Sequence, residues 1–179
     1  MPSKASQATV PPAGVPRARR HWLFKSEPGV FSFDDLWRAP KRATSWDGVR
    51  NYQARNLLRD EVRVGDLLLF HHSSADPSGI AGIARVLRGA EPDQTQFDPR
   101  SPGHDPRAQR AAPPWVSITI QAVARLPRFL ALEELRRVPE LAGMALLKRG
   151  QRLSVQPVTP REWGAILGLA GLDPRRIEA

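Results

Sequence analysis

The sequence predicts an α+β fold, a small mixed β-barrel or strongly curved sheet flanked by short helices. Three observations predict it. Five or six short strand-like runs recur between His21 and Val158, the helical segments between them are short and irregularly placed, and one well-capped amphipathic helix closes the chain. Nothing shows the regular strand–helix alternation of a parallel sheet, and no internal repeat is present.

In chain order, residues 1–19 are rich in Pro, Ala, Ser and Arg without periodicity, and read as a disordered basic tail. Order is expected from residue 20 or 21, where His21-Trp-Leu-Phe-Lys25 has the aromatic content of a strand. Ser32 followed by Asp35 supplies an N-cap and an N3 acid for a short helix through Leu36 and Trp37. Asn51 to Asp60 suits a second helix. Val64-Gly-Asp66 reads as a turn into the apolar strand Leu67 to His71, with Ile80 to Leu87 as its partner and Ser73 to Gly79 as the connection. Gly79 and Gly82 predict a bulge or a close backbone approach. Glu91 to Pro114 reads as a long mobile loop, and the alternation from Trp115 to Val123 as a half-buried strand. Leu132 to Arg137 looks helical, and Arg152 to Val158 reads as a short strand. Thr159-Pro-Arg-Glu162 is a capping box with Pro at N1, and Trp163, Ile166, Leu167 and Ala170 place one helix face on the core. Residues 20–173 are thus expected to form one domain, with 174–179 as a C-terminal tail.

Composition narrows the function. The 179-residue chain carries a formal net charge of +9. Four of those positive charges lie in residues 1–20 and five in the remainder, which fits attraction to a polyanion or an Arg-rich genome equally well. The absence of cysteine excludes disulfides, thiolate zinc sites and thiol nucleophiles. Neither a membrane-spanning run nor a secretory h-region occurs, so a cytoplasmic globular protein working as a monomer is the expectation. The four histidines are scattered, and adjacent His71 and His72 point to opposite faces of a strand, so no metal site is expected. H-E-x-x-H, G-x-S-x-G and phosphate-cradling glycine loops are all missing.

Three segments are unusual for purely structural sequence. Lys25-Ser-Glu-Pro28 ends a buried strand in polar residues, either as a turn or as the lining of a site. Thr44 to Arg55 gathers Trp46, Asp47, Arg50, Asn51, Tyr52 and Arg55 within twelve positions. An aromatic face can stack on a base, amides and acids can bond its edge, and arginine can meet phosphate. Core filling by Trp46, and a solvated helix face for Arg50, Arg55 and Arg59, explain the same residues. Ser154 lies in the third segment, which is either an edge strand or a ligand contact.

Taken together, His21-Trp-Leu-Phe-Lys-Ser-Glu-Pro28, Trp46-Asp-Gly-Val-Arg-Asn-Tyr-Gln-Ala-Arg55, Val64-Gly-Asp66, Gly79-Ile-Ala-Gly-Ile-Ala-Arg85 and Leu153-Ser-Val-Gln-Pro-Val158 resemble the EVE domain family. The likeness runs from His21 to about Gly171. It implies a PUA-like fold and a non-catalytic nucleic-acid-binding domain that reads a modified base in DNA, or in RNA, without a cofactor. On the same resemblance Lys25, Ser26, Glu27, Trp46, Asp47, Arg50, Asn51, Tyr52 and Ser154 line the ligand pocket, and Arg55 and Arg59 meet phosphate. A second cage aromatic has no firm match, with Trp22, Tyr52 and Trp115 as weak substitutes. The rival readings are a sensor of a small nucleoside-like molecule and, more distantly, a hydrolase acting through Glu27 and Asp47. Because polar residues flank Trp46, truncating it to alanine is expected to remove binding while leaving the fold largely intact.

Overall fold

The computed structural model describes residues 17–178; of the tail expected over residues 1–19, residues 1–16 lie outside that range. Six strands form one mixed sheet in the order β2-β5-β4-β3-β1-β6. They are β1 (His21–Ser26), β2 (Ala43–Trp46), β3 (Leu67–His72), β4 (Gly79–Pro92), β5 (Val116–Ala131) and β6 (Val155–Val158). Only β1 and β3 run parallel, and all other neighbours are antiparallel. The predicted α+β class is therefore present, but the barrel does not close. The outer strands β2 and β6 have no ladder between them, so the sheet curls without removing its edges.

The curvature comes from β4 and β5, of 14 and 16 residues, whose pairing register shifts at four places. One shift falls between Ile80 and Gly82, where the sequence predicted a bulge. A Cβ on Gly82 would lie 2.2 Å from the Phe33 ring, and one on Gly79 would lie 2.1 Å from the Leu130 carbonyl oxygen. Both positions require glycine because another element crosses there.

Alternating strand residues build a core on each face. Trp22, Phe24, Leu68 and Phe70 pack under α1 (Phe33–Arg38) and α2 (Tyr52–Asn56), which continues as a wider π-type turn through Leu57–Glu61. Leu23, Leu67 and Leu69 pack under α3 (Leu132–Leu135), α4 (Pro160–Ala170) and α5 (Pro174–Glu178). Both predicted capping boxes form, Ser32 with Asp35 and Thr159 with Glu162. The four predicted α4 residues Trp163, Ile166, Leu167 and Ala170 are all buried.

Three sequence expectations need correction. Residues 174–178 are a helix that buries Ile177, because one apolar side chain in that short segment finds the second core. The boundary at residue 19 moves outward: Arg17 donates to Asp66 at 2.9 Å. Glu91 to Pro114 is not a loose loop. Its Asp93 and Gln96 are buried polar residues, and Gln96 bonds the backbone of Trp115 in both directions, so a polar sequence is fixed by internal hydrogen bonds instead of an apolar face.

His71 and His72 do diverge. His72 accepts from the Phe33 amide at 3.0 Å, whereas both ring nitrogens of His71 are buried without a partner. Burial, and after it the charges of Lys25 and His72, hold the His71 pKa down at about 4 from 6.5. Protonation is thus disfavoured in the folded chain, and between those values the unfolded chain binds more protons. The resulting stability is complete above the unfolded value and is lost as pH falls toward the folded one, by about 3 kcal/mol at most. Melting temperature should fall across that acid window, and His71→Phe should flatten the same part of the profile.

Candidate nucleic-acid interface

The pocket of interest, about 410 Å³, lies between the ends of β1 and β2, which do not pair with each other, beside the approach to β6. Three backbone segments shape it. Past β1 the chain folds back on itself, with the amides of Val30 and Phe31 donating to the Glu27 carbonyl, each at 2.9 Å. The Ser26 hydroxyl donates to the Phe31 carbonyl at 2.6 Å. Past β2, Gly48 turns the chain at φ +71°, a conformation that suits glycine. Ahead of β6, the Ser154 carbonyl accepts from the Lys25 amide at 2.9 Å.

Of the residues expected to meet a ligand, this arrangement brings Lys25, Ser26, Trp46, Asp47, Arg50, Asn51 and Ser154 into one cavity lining. It adds Val30, Phe31, Thr44, Ser45, Gly48 and Val49. Phe31 is the second aromatic of the pocket, a role for which the sequence offered only Trp22, Tyr52 and Trp115. Trp22 is instead core and donates its indole N–H to Asp66, and Trp115 is buried and donates to Asp105. The signal for Phe31 was its place five residues beyond the strand end, on the fold-back.

Trp46 is both wall and core. Only 8 % of it is exposed, and its ring lies 5.4 Å from Phe24 and 5.6 Å from Phe70. The expectation that its polar neighbours keep it out of the core is therefore wrong. Strand alternation turns the β2 end inward whatever flanks it in sequence.

The charges around the pocket are unequal in availability. Arg50 spends its guanidinium on the Asp93 carboxylate at 2.7 Å, the Thr95 hydroxyl at 2.9 Å and the Gly103 carbonyl at 2.7 Å. Asp93 also accepts from the Gly48 amide at 2.9 Å. Burial alone would raise the Asp93 pKa, but the hydrogen bonds from Thr95, Arg50 and Gly48 outweigh it and hold it low. Arg50 and Asp93 together thus brace the pocket loop, a role for Asp93 that a remote and polar segment did not reveal. Asp47, by contrast, forms no ion pair among the described residues. Burial first, then repulsion from Asp93, raises its pKa. Lys25 donates to the Gln151 carbonyl at 3.0 Å, and burial lowers its pKa. The Asn51 side-chain oxygen caps α2 by accepting from the Ala54 amide, which leaves its N–H groups to serve a ligand.

Glu27 and Tyr52 are not in the lining. Glu27 accepts from the Ser74 hydroxyl at 3.1 Å, so the structure does not place it with Asp47 as a hydrolytic pair. Tyr52 stacks on Trp115, outside the pocket. The expected stripe of Arg50, Arg55 and Arg59 is divided among separate partners. Arg55 donates to the Pro114 carbonyl and Arg59 pairs with neighbouring Asp60 at 2.7 Å.

A curled, incompletely closed sheet with an aromatic and polar cavity at its edge defines a small ligand-reading domain. The chain belongs to the EVE domain family, whose family model matches residues 20–169. It is 41 % identical to human thymocyte nuclear protein 1 over 171 residues, covering 86 % of this chain and 75 % of that protein. Among solved structures, a Pseudomonas syringae protein superposes with a TM-score of 0.80 at 45 % identity, covering 84 % of this chain and 99 % of that one. The human THYN1 protein in complex with 5-methylcytosine containing DNA superposes with a TM-score of 0.77 at 40 % identity, covering 87 % and 99 %.

Proposed function

We propose that this chain reads a modified base in DNA, held in the pocket between β1 and β2 and released unchanged. The observation that carries the reading is the pairing of the Trp46 and Phe31 walls with an acid, Asp47, that forms no ion pair among the described residues. The ring faces suit a flat heterocycle. Asp47 suits its exocyclic amino group, since a carboxylate accepts from a cytosine-type amine. Extruding a base costs a few kcal/mol, and stacking of about 1–3 kcal/mol per base with edge hydrogen bonds offsets it. The THYN1 relative crystallised with 5-methylcytosine DNA supports modified cytosine as the first ligand to test. Binding without turnover, as a monomer in the cytoplasm, completes the proposal.

Oligonucleotides identical except at one base should separate by at least tenfold in affinity, with the 5-methylcytosine strand ahead of plain cytosine. Affinity should also fall linearly with salt on logarithmic axes, because phosphate binding releases counterions. Equal affinity for all strands overturns base reading. Tight, salt-independent binding of a free nucleoside with no gain from a strand favours a small-molecule sensor.

A further inference from the structure

Tyr52 follows the pocket residue Asn51 in sequence, yet it lies outside the pocket with 56 % of its surface exposed. Its ring packs on the buried Trp115, with centroids 4.7 Å and planes 31° apart. Trp115 is itself fixed by its indole N–H to Asp105 at 2.8 Å and by its backbone to Gln96. The Arg55 guanidinium lies 5.0 Å from the Tyr52 centroid and is tied to the Pro114 carbonyl. A large aromatic ring is thus braced by a rigid, cationic support while much of it meets solvent.

Beside it is a second concavity of about 300 Å³, lined by Tyr52, Asp105, Arg107, Gln109, Ala112 and Pro114. The Arg107 side chain is 86 % exposed. The acid in this concavity is already engaged, since Asp105 accepts from Trp115 and from the Arg107 amide, with the Arg107 guanidinium at 3.6 Å.

We propose that Tyr52, braced by Trp115 and Arg55, is a stacking platform for the nucleotide next to the base in the pocket, with Arg107 directed at its phosphate. An open aromatic face beside guanidiniums takes a base and its backbone charge together. Its place directly after Asn51 sets the platform beside the pocket, within reach of the nucleotide adjoining a bound base. The proposal rests on the reading of the chain as a nucleic-acid binder, but not on which base it selects.

The test uses a single-stranded oligonucleotide with one 5-methylcytosine, its plain-cytosine twin, a version abasic at the flanking nucleotide, and 5-methyl-2′-deoxycytidine alone. Tyr52→Ala should weaken binding of both intact strands by the same factor, about fivefold to hundredfold, with melting temperature unchanged. Tyr52→Phe should bind like the parent. The abasic strand should bind parent and Tyr52→Ala alike, and nucleoside binding should not change. Unchanged affinity of Tyr52→Ala for the intact strands overturns the platform. An equal loss with the nucleoside also overturns it, by placing Tyr52 in the pocket. Failure of base reading is distinct: the parent then binds methylated and plain strands equally while Tyr52→Ala still loses affinity for both. A parent chain that binds neither strand overturns both readings.

Discussion

Trp46→Ala is expected to cost about 3–5 kcal/mol of folding stability, because it empties an indole-sized space between Phe24 and Phe70. That loss is comparable with the whole stability of a marginal domain, so the alanine variant should be unfolded or close to it at moderate temperature. The variant that tests recognition is Trp46→Phe. Phenylalanine keeps an aromatic ring against the two core phenylalanines but presents a smaller face to the cavity. It should stay folded and lose affinity for the modified strand about tenfold to hundredfold, with less effect on plain strands. Melting temperature and oligonucleotide binding, measured on both variants, check the two halves separately. A folded Trp46→Ala would show that the indole contributes little packing. A Trp46→Phe that still discriminates like the parent would move base reading away from this wall.

Asp66→Ala should be nearly as damaging, although the residue lines neither proposed ligand site. Its buried carboxylate accepts from the Trp22 indole at 3.0 Å, from the amides of Arg20 and Arg63, each at 3.0 Å, and from Arg17 at 2.9 Å. Alanine would leave the Trp22 N–H and two backbone donors without partners beneath the first strand, a loss of about 3–5 kcal/mol. Asp66→Asn keeps one acceptor oxygen and should lose less. Urea unfolding should register both as a lower midpoint with an unchanged slope, and affinity should follow only the fraction folded. A midpoint for Asp66→Ala equal to that of the parent would contradict this account.

How much of this was legible in the sequence depended on how local the cause was. Capping at Ser32 and Thr159, the inward face of α4 and the Val64-Gly-Asp66 turn are all decided within a few residues, and each was read correctly. The pocket was legible in part: seven of the proposed residues converge because the ends of β1 and β2 and the approach to β6 are adjacent in the fold. Asp93 was not legible. Its hydrogen bonds join positions more than forty residues from Gly48 and Arg50, and nothing in a polar loop marks which acid will be buried.

By itself the sequence determined the fold class, the family, the exclusion of cysteine chemistry and the strand ends that border the pocket, because residue type, spacing and periodicity encode local conformation and burial. Only the tertiary structure decided that the barrel stays open, that Trp46 is also core, that Phe31 supplies the second aromatic, and that Glu27 and Tyr52 stand outside the pocket. The open barrel depends on the curl that the register shifts of β4 and β5 impose on the sheet, and the others depend on which segments the fold brings together at the ends of β1 and β2. Curl is a sum over many strand pairs, and no single segment of the chain carries it.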